Sequence, residues 1–123
     1  MNSYDPNNAP VPEVWLALDE QIRIALVEEH HRLARIKLPN SAAHAVLHSI
    51  VENQIAENLE SVVRAMARLT AEGLDRHDAV HAIGSVLAVH IHDLFNSKAD
   101  AANSQAIYNA AIERLTAKVW RGG

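Results

Sequence analysis

Residues 74–94 read LDRHDAVHAIGSVLAVHIHDL, and this stretch indicates most clearly how the chain folds. Asp75, with Asp78 three residues later, forms an acidic variant of the capping box that starts a helix. Gly73, just before it, is typical of the left-handed residue that ends a preceding helix. The stretch therefore predicts a helix over about 76–96.

N-terminal to this stretch, apolar residues recur at three- and four-residue steps and predict an amphipathic helix over about 13–37. Its predicted apolar stripe consists of Trp15, Leu18, Ile22, Ala25, Leu26, Leu33 and Ile36. The proline that follows ends this helix, because a residue before proline is steered away from helical angles. Asn40 or Ser41 then caps a second helix, which either breaks near Asn58 or continues towards Gly73.

A last helix is predicted to begin between residues 100 and 104, and no segment shows the sustained two-residue alternation of a strand. The predicted fold class is therefore all-α, a compact helical bundle of four long or five shorter helices. Residues 1–12 contain three prolines and three asparagines with almost nothing to bury. We expect a flexible lead-in at 1–12 and a single helical domain at 13–123.

Composition limits the classes of partner. A chain of 123 residues, 49% of them hydrophobic, can bury a core without disulfides. The net charge of −4 and the lack of any run of basic residues predict no nucleic-acid partner. The sequence shows no signal-peptide pattern and no apolar run as long as a membrane span, so we expect a cytoplasmic protein with no membrane partner.

Four of the eight histidines form two His-x3-His pairs, each on one face of a predicted helix. The pairs are His44 with His48 and His77 with His81. Side chains four residues apart on a helix can converge on one metal ion. Gly84, Ser85 and Ala88 continue the face of the second pair and leave space for a neighbouring helix or a ligand. His90 and His92 point to opposite sides of their helix and are not expected to share an ion.

Two acidic residues are candidate carboxylate ligands. A helical wheel places Glu29 in the middle of the first helix's apolar stripe, while Glu28 and His31 point outward. An inward carboxylate needs a charged partner, a proton, a metal ion or an open end of the bundle that reaches water. Glu52 follows His48 by one helical turn.

The predicted metal site therefore consists of His44, His48, His77 and His81, with Glu29 or Glu52 as a carboxylate ligand. With no cysteine in the chain, the ligands are nitrogen and oxygen atoms, which suit zinc, iron, nickel or manganese. A metalloprotease is disfavoured, because Asp78 and Ala45 stand where the zinc-protease helix has glutamate. The sequence names no reaction and no small-molecule substrate.

Two alternatives to the metal site remain at this stage. In one, the protein is a structural or interaction module whose inward histidines form a hydrogen-bonded network, and the alanine-rich last helix serves a homodimer contact. In the other, the dipeptides His77-Asp78 and His92-Asp93 belong to a helical metal phosphohydrolase.

Two segments carry a resemblance to a protein family. They read LPNSAAHAVLHSIVENQIAENL and EGLDRHDAVHAIGSVLAVHIHDLF, and the resemblance covers roughly residues 36–95, about half of the chain. They resemble the signature segments of small uncharacterised bacterial all-helical proteins, with a His-x3-His helix ending in Glu-Asn-Gln and a later Arg-His-x-Ala-x-His helix. This resemblance implies that the same histidines act together, and it implies no particular activity.

Overall fold

The computed structural model describes residues 1–34, 40–96 and 101–122, and within these ranges the chain forms α-helices and no strand. The helices are α1 (Pro12–Ala17), α2 (Glu20–Leu33), α3 (Ser41–Ala56), α4 (Glu60–Ala71), α5 (Arg76–Phe95), α6 (Ser104–Arg114) and α7 (Ala117–Trp120). A 3₁₀ turn, Ala101–Asn103, precedes α6. The predicted all-α bundle is confirmed.

The helix boundaries in the middle of the chain follow the capping residues. The Asn40 side chain accepts a hydrogen bond from the Ala43 amide at the start of α3, and Asp75 accepts one from Asp78 at the start of α5. Asn58 has a φ of 60°, a left-handed angle that separates α3 from α4. Gly73 has a φ of 102° and ends the turn after α4.

The first and last predicted helices are each interrupted. Leu18 is extended, and the Asp19 side chain then accepts the Gln21 amide and caps α2 as a separate helix. Near the C-terminus, Leu115 is extended and Thr116 caps α7 through the Val119 amide. The predicted continuation of the first helix through residues 36 and 37 lies outside the described residues.

Helix α5 lies at the centre of the fold, where it packs against α3, α4 and α6. Its buried apolar residues join those of α4 and α6 in the larger hydrophobic cluster. A smaller cluster contains Tyr4, Trp15, Val27 and Ala45, which come from the N-terminal segment, α1, α2 and α3. Because α3 also packs against α2, the helices α2, α3 and α5 meet at one place.

The N-terminal segment corrects the expectation that residues 1–12 have almost nothing to bury. Tyr4 and Pro6 are both buried, and the Tyr4 ring packs 5.4 Å from the Trp15 ring between centroids. The expectation considered only the composition of the segment, but burial of one aromatic side chain is enough to hold an otherwise polar stretch against the helices.

In the part of the chain that the structure describes, no helix has both the length and the apolar character needed to cross a membrane.

Candidate metal centre

Four histidines from three helices converge where α2, α3 and α5 meet. They are His31 on α2, His44 and His48 on α3, and His81 on α5. One ring nitrogen from each lies within 4.8 Å of the nitrogens of the other three. We call this group the histidine cluster. Imidazole nitrogens gathered in this way are common ligands of transition metals.

The His31 ring is held by its own helix. Val27 and His31 are four residues apart and form the buried face of α2. His31 Nδ1 lies 2.9 Å from the Val27 carbonyl oxygen, and only a protonated nitrogen can donate to that oxygen. A neutral His31 therefore has its lone pair on Nε2. That atom is buried and has no hydrogen-bond partner among the described residues.

The buried His48 ring is held by Tyr4 in the N-terminal segment. His48 Nε2 lies 2.8 Å from the Tyr4 hydroxyl oxygen, and the same hydroxyl donates its proton to Glu52 Oε2. Because that proton is used, His48 Nε2–H is the donor to the Tyr4 oxygen. The lone pair of His48 is then on Nδ1, which is buried and lacks a hydrogen-bond partner in the described part of the chain.

Glu52 is fixed from the other side by Arg76 of α5. The two Arg76 NH groups donate to the two Glu52 carboxylate oxygens, each at 2.7 Å, and one also donates to the Pro6 carbonyl at 2.8 Å. Burial, followed by the neighbouring Glu52 charge, raises the pKa of the Tyr4 hydroxyl. Arg76, Glu52 and Tyr4 thus form a chain of hydrogen bonds that ends on His48, and we call it the Tyr4–Glu52–Arg76 network. Partners of this kind commonly orient metal-binding histidines.

His44 and His81 face each other directly. Their Nε2 atoms are 3.0 Å apart, so one ring donates a proton to the lone pair of the other. Burial and the neighbouring histidines lower the pKa of His81 to about 3, and burial also lowers the pKa of His31, His44 and His48. All four rings are therefore neutral near pH 7, which is the form that binds metal.

Two further histidines lie beside the cluster. The His77 ring centroid is 4.1 Å from that of His81, and its Nε2 is buried without a described hydrogen-bond partner. The His30 ring lies 5.5 Å from the His77 ring and packs edge-on against Tyr4. Neither residue belongs to the group whose nitrogens come within 4.8 Å of one another.

A cavity of about 250 Å³ adjoins the cluster between α3 and α5. Its lining consists of His44, Leu47, His48, Val80, His81, Gly84, Ser85 and Ala88. The small residues predicted to leave space beside the histidines therefore line an actual cavity. A methyl group added at Gly84 would meet only Val51, at 4.0 Å, so close packing against another helix does not require this glycine.

No family model, curated protein or solved structure matches this chain significantly. The resemblance to an uncharacterised bacterial family therefore stays a prediction.

The structure brings only some of the six predicted ligands together. It brings His44, His48 and His81 together, sets His77 beside them, and turns Glu52 towards Tyr4 and Arg76. Glu29 lies elsewhere: its side chain is 51% exposed and pairs with Arg32 at 2.6 Å. The inward orientation predicted for Glu29 is wrong, and so is the outward orientation predicted for His31.

Both errors have the same cause. The spacing of α2 allows two inward faces: Ile22 and Leu33 lie on the same face as Glu29, whereas Val27 lies on the same face as His31. The structure buries Val27 and His31 and leaves Ile22 and Leu33 49% and 66% exposed. Packing against the neighbouring helices therefore decides which face is buried, and the period of the helix does not.

His90 and His92 lie apart from the cluster and from each other. His90 Nε2 is 2.9 Å from the Ser104 hydroxyl at the start of α6. His92 is exposed and lies 3.7 Å from the Asp93 carboxylate. These two histidines are therefore suitable controls for experiments on the cluster.

Proposed function

We propose that this protein binds one divalent transition metal ion through His31, His44, His48 and His81. One observation carries the proposal: four neutral imidazoles from three helices bring their ring nitrogens within 4.8 Å of one another. Two ring nitrogens of these residues, His31 Nε2 and His48 Nδ1, are buried and have no described hydrogen-bond partner.

The unpartnered nitrogens support the proposal that an ion, which the protein itself does not supply, binds between these rings. A buried acceptor without a hydrogen bond costs roughly 1–3 kcal/mol, so two at one place are unfavourable in a site that stays empty. A metal ion would use both lone pairs. It would also use those of His44 and His81, once the ring that donates the hydrogen bond between them carries its proton on Nδ1 instead of Nε2.

The distances imply a small contraction on binding. Zinc–nitrogen bonds are about 2.0–2.1 Å long, which sets ligand nitrogens about 3.4 Å apart in a tetrahedron. The largest separation in the cluster is within 4.8 Å, so side-chain rotations of modest size complete the site.

The ligand type narrows the choice of ion. Imidazole suits zinc, iron and nickel, whereas manganese prefers carboxylate oxygen. Glu52 is linked to the cluster through the Tyr4 hydroxyl, and its carboxylate already pairs with Arg76. We therefore propose zinc, iron or nickel ahead of manganese.

Metal analysis of protein purified without an affinity tag tests the proposal. We expect near-stoichiometric metal in the wild type and its loss in the variant carrying His48→Ala and His81→Ala. A matched variant with His90→Ala and His92→Ala removes the same number of imidazoles outside the cluster. It should keep its metal.

One outcome of the metal analysis would contradict the proposal. The metal function fails if the wild-type protein contains no metal and no divalent ion raises its melting temperature. A second comparison tests the ligand set itself. His31→Ala should weaken metal affinity more than His77→Ala, because the His31 nitrogen lies within the cluster and the His77 nitrogen lies outside it.

A second candidate is a structural or interaction module without an ion. The hydrogen bond between His44 and His81 and the Tyr4–Glu52–Arg76 network support it, because they already satisfy many of the buried polar groups. This candidate predicts that chelator treatment leaves the melting temperature unchanged. A homodimer through the exposed Ala106 and Ala110 face of α6 is part of this candidate, and light scattering over a concentration series tests it.

A further inference from the structure

We infer that the metal site opens onto a ligand pocket between α3 and α5, and that the pocket takes a small monocarboxylate whose carboxylate binds the ion. This inference rests on the proposed metal function and adds to it the chemical class of the ligand.

The cavity has a suitable position. Its lining residues all belong to α3 and α5, and they include three rings of the histidine cluster, His44, His48 and His81. His31 reaches the cluster from α2 and does not line the cavity. An ion held by the four histidines would therefore present one side to the cavity, where the carboxylate would be a fifth ligand.

One buried atom points to a ligand at this wall. His48 is only 2% exposed, lines the cavity, and has an Nδ1 without a described hydrogen-bond partner. The other nitrogen of the ring is already held by Tyr4. A free lone pair on a ring that lines the cavity therefore suits an ion bound beside the cavity.

Charge determines the head group of the ligand. The four imidazoles are neutral, so they leave the 2+ charge of the ion uncompensated. Glu52 does not compensate it, since both of its oxygens accept from Arg76. No acidic or basic side chain other than histidine lines the cavity. An anionic head group would supply the missing charge.

The lining residues and the volume of the cavity limit the part of the ligand that extends from its carboxylate. Beyond the histidines, the cavity is lined by Leu47, Val80 and small residues, and the Ser85 hydroxyl already donates to the Ala82 carbonyl at 2.6 Å. A cavity of roughly 150 Å³ is known to hold benzene. The 250 Å³ here fits an apolar body of about that size with a carboxylate attached, such as benzoate or a short-chain fatty acid.

Cobalt-loaded protein gives a direct measurement, because cobalt(II) absorbs visible light according to its ligands. We expect benzoate to change the visible spectrum saturably, whereas benzylamine, its cationic counterpart, leaves it unchanged. Calorimetry should give at least tenfold weaker benzoate binding to the metal-free protein. Equal affinity with and without cobalt would overturn the inference.

Two variants test the position of the pocket. Ala88→Leu fills the cavity and should weaken benzoate binding at least tenfold without changing the cobalt content. Ala106→Leu makes the same change on the exposed surface of α6 and should leave the benzoate affinity and the cobalt content unchanged. Gly84→Ala adds one methyl group to the lining with room beside Val51, and should weaken benzoate binding several-fold even if Ala88→Leu fails to fold.

The outcomes separate the two proposals. Failure to load cobalt counts against the metal function itself. Normal loading without any response to benzoate overturns the ligand pocket and leaves the metal function intact. Unchanged benzoate affinity in both cavity variants, with normal folding by circular dichroism, overturns the location between α3 and α5.

Discussion

Arg76 and Glu52 join α5 to α3 beside the histidine cluster, while Arg64 and Glu113 join α4 to α6. Both pairs have a nitrogen to oxygen distance of 2.7 Å. Their surroundings differ, since the side chains of Arg76 and Glu52 are 13% and 1% exposed whereas those of Arg64 and Glu113 are 57% and 39% exposed.

The helices behind these pairs differ in the same way. The buried face of α4 consists of Ser61, Val62, Ala65 and Leu69, and it includes no charged residue. The buried face of α3 includes His48, Ser49 and Glu52. Burying charge is costly even when it is paired, so stability alone does not explain the polar interior of α3. The Tyr4–Glu52–Arg76 network has a second role, because it holds the His48 ring in one tautomer.

The largest expected effect comes from removing one partner of each pair. Glu52→Ala leaves Arg76 with little access to water and without its carboxylate, so we expect the free energy of unfolding to fall by about 3–5 kcal/mol. Glu113→Ala leaves Arg64 in water and should cost far less. Urea unfolding of the two variants measures the difference. Similar losses would mean that burial does not distinguish the two pairs.

The next effect is a dependence of stability on pH that arises from the histidine cluster. Burial holds the pKa of these histidines below the ordinary value of 6.5, and that of His81 at about 3. Below pH 6.5 the unfolded chain therefore binds more protons than the folded chain, and acid favours unfolding. Stability is full above pH 6.5 and falls as the pH drops towards 3.

Discounting for partial exposure, we expect metal-free protein to lose about 2 kcal/mol between pH 7 and pH 5. Urea unfolding in the presence of a chelator measures this loss. The variant with His48→Gln and His81→Gln should show a flatter dependence, and the control with His90→Gln and His92→Gln should keep the wild-type slope. An equal slope in all three proteins would show that the cluster is not the source.

A smaller effect is expected from Tyr4→Phe. The change keeps the ring against Trp15 and removes the hydroxyl that joins His48 to Glu52. We expect a loss of about 1–2 kcal/mol in unfolding free energy, together with weaker metal affinity because the His48 tautomer is no longer fixed. Calorimetric metal titration checks the second part. A stability loss without any change in affinity would limit Tyr4 to a packing role.

The smallest effect is expected from Glu29→Gln. Its carboxylate is exposed and pairs with Arg32 one turn away on α2, where water competes for both charges. Metal content and unfolding free energy should stay at the wild-type level. Loss of metal in this variant would mean that Glu29 is a metal ligand, and it would contradict the exposed position of Glu29 on α2.

Local signals were enough to find most of the helices. Asn40 and Asp75 start α3 and α5 because their side chains accept amide hydrogens of the first turn, an effect contained within a few residues. The same locality explains why His44 and His48 could be paired from the sequence, since residues four apart on one helix share a face. His81 was found in the same way.

Relations between helices were harder to predict. His77 and His81 are equally good candidates by spacing, but only the position of α5 against α3 decides that His81 is nearer to His44. The role of Tyr4 could not be inferred, because nothing within residues 1–12 indicates that the segment crosses to α3. The exclusion of Glu52 from the cluster depends in turn on Arg76, twenty-four residues further along the chain.

The sequence by itself determined the all-α class, the capped starts of α3 and α5, and three of the four clustered histidines, because these follow from spacing and side-chain chemistry within single helices. The tertiary structure decided that His31 completes the cluster, that Glu52 supports it from behind, and that Glu29 faces water. The reason is physical: a helical period gives the relative directions of residues on one helix, whereas the direction of that helix towards its neighbours is set by packing across the whole fold.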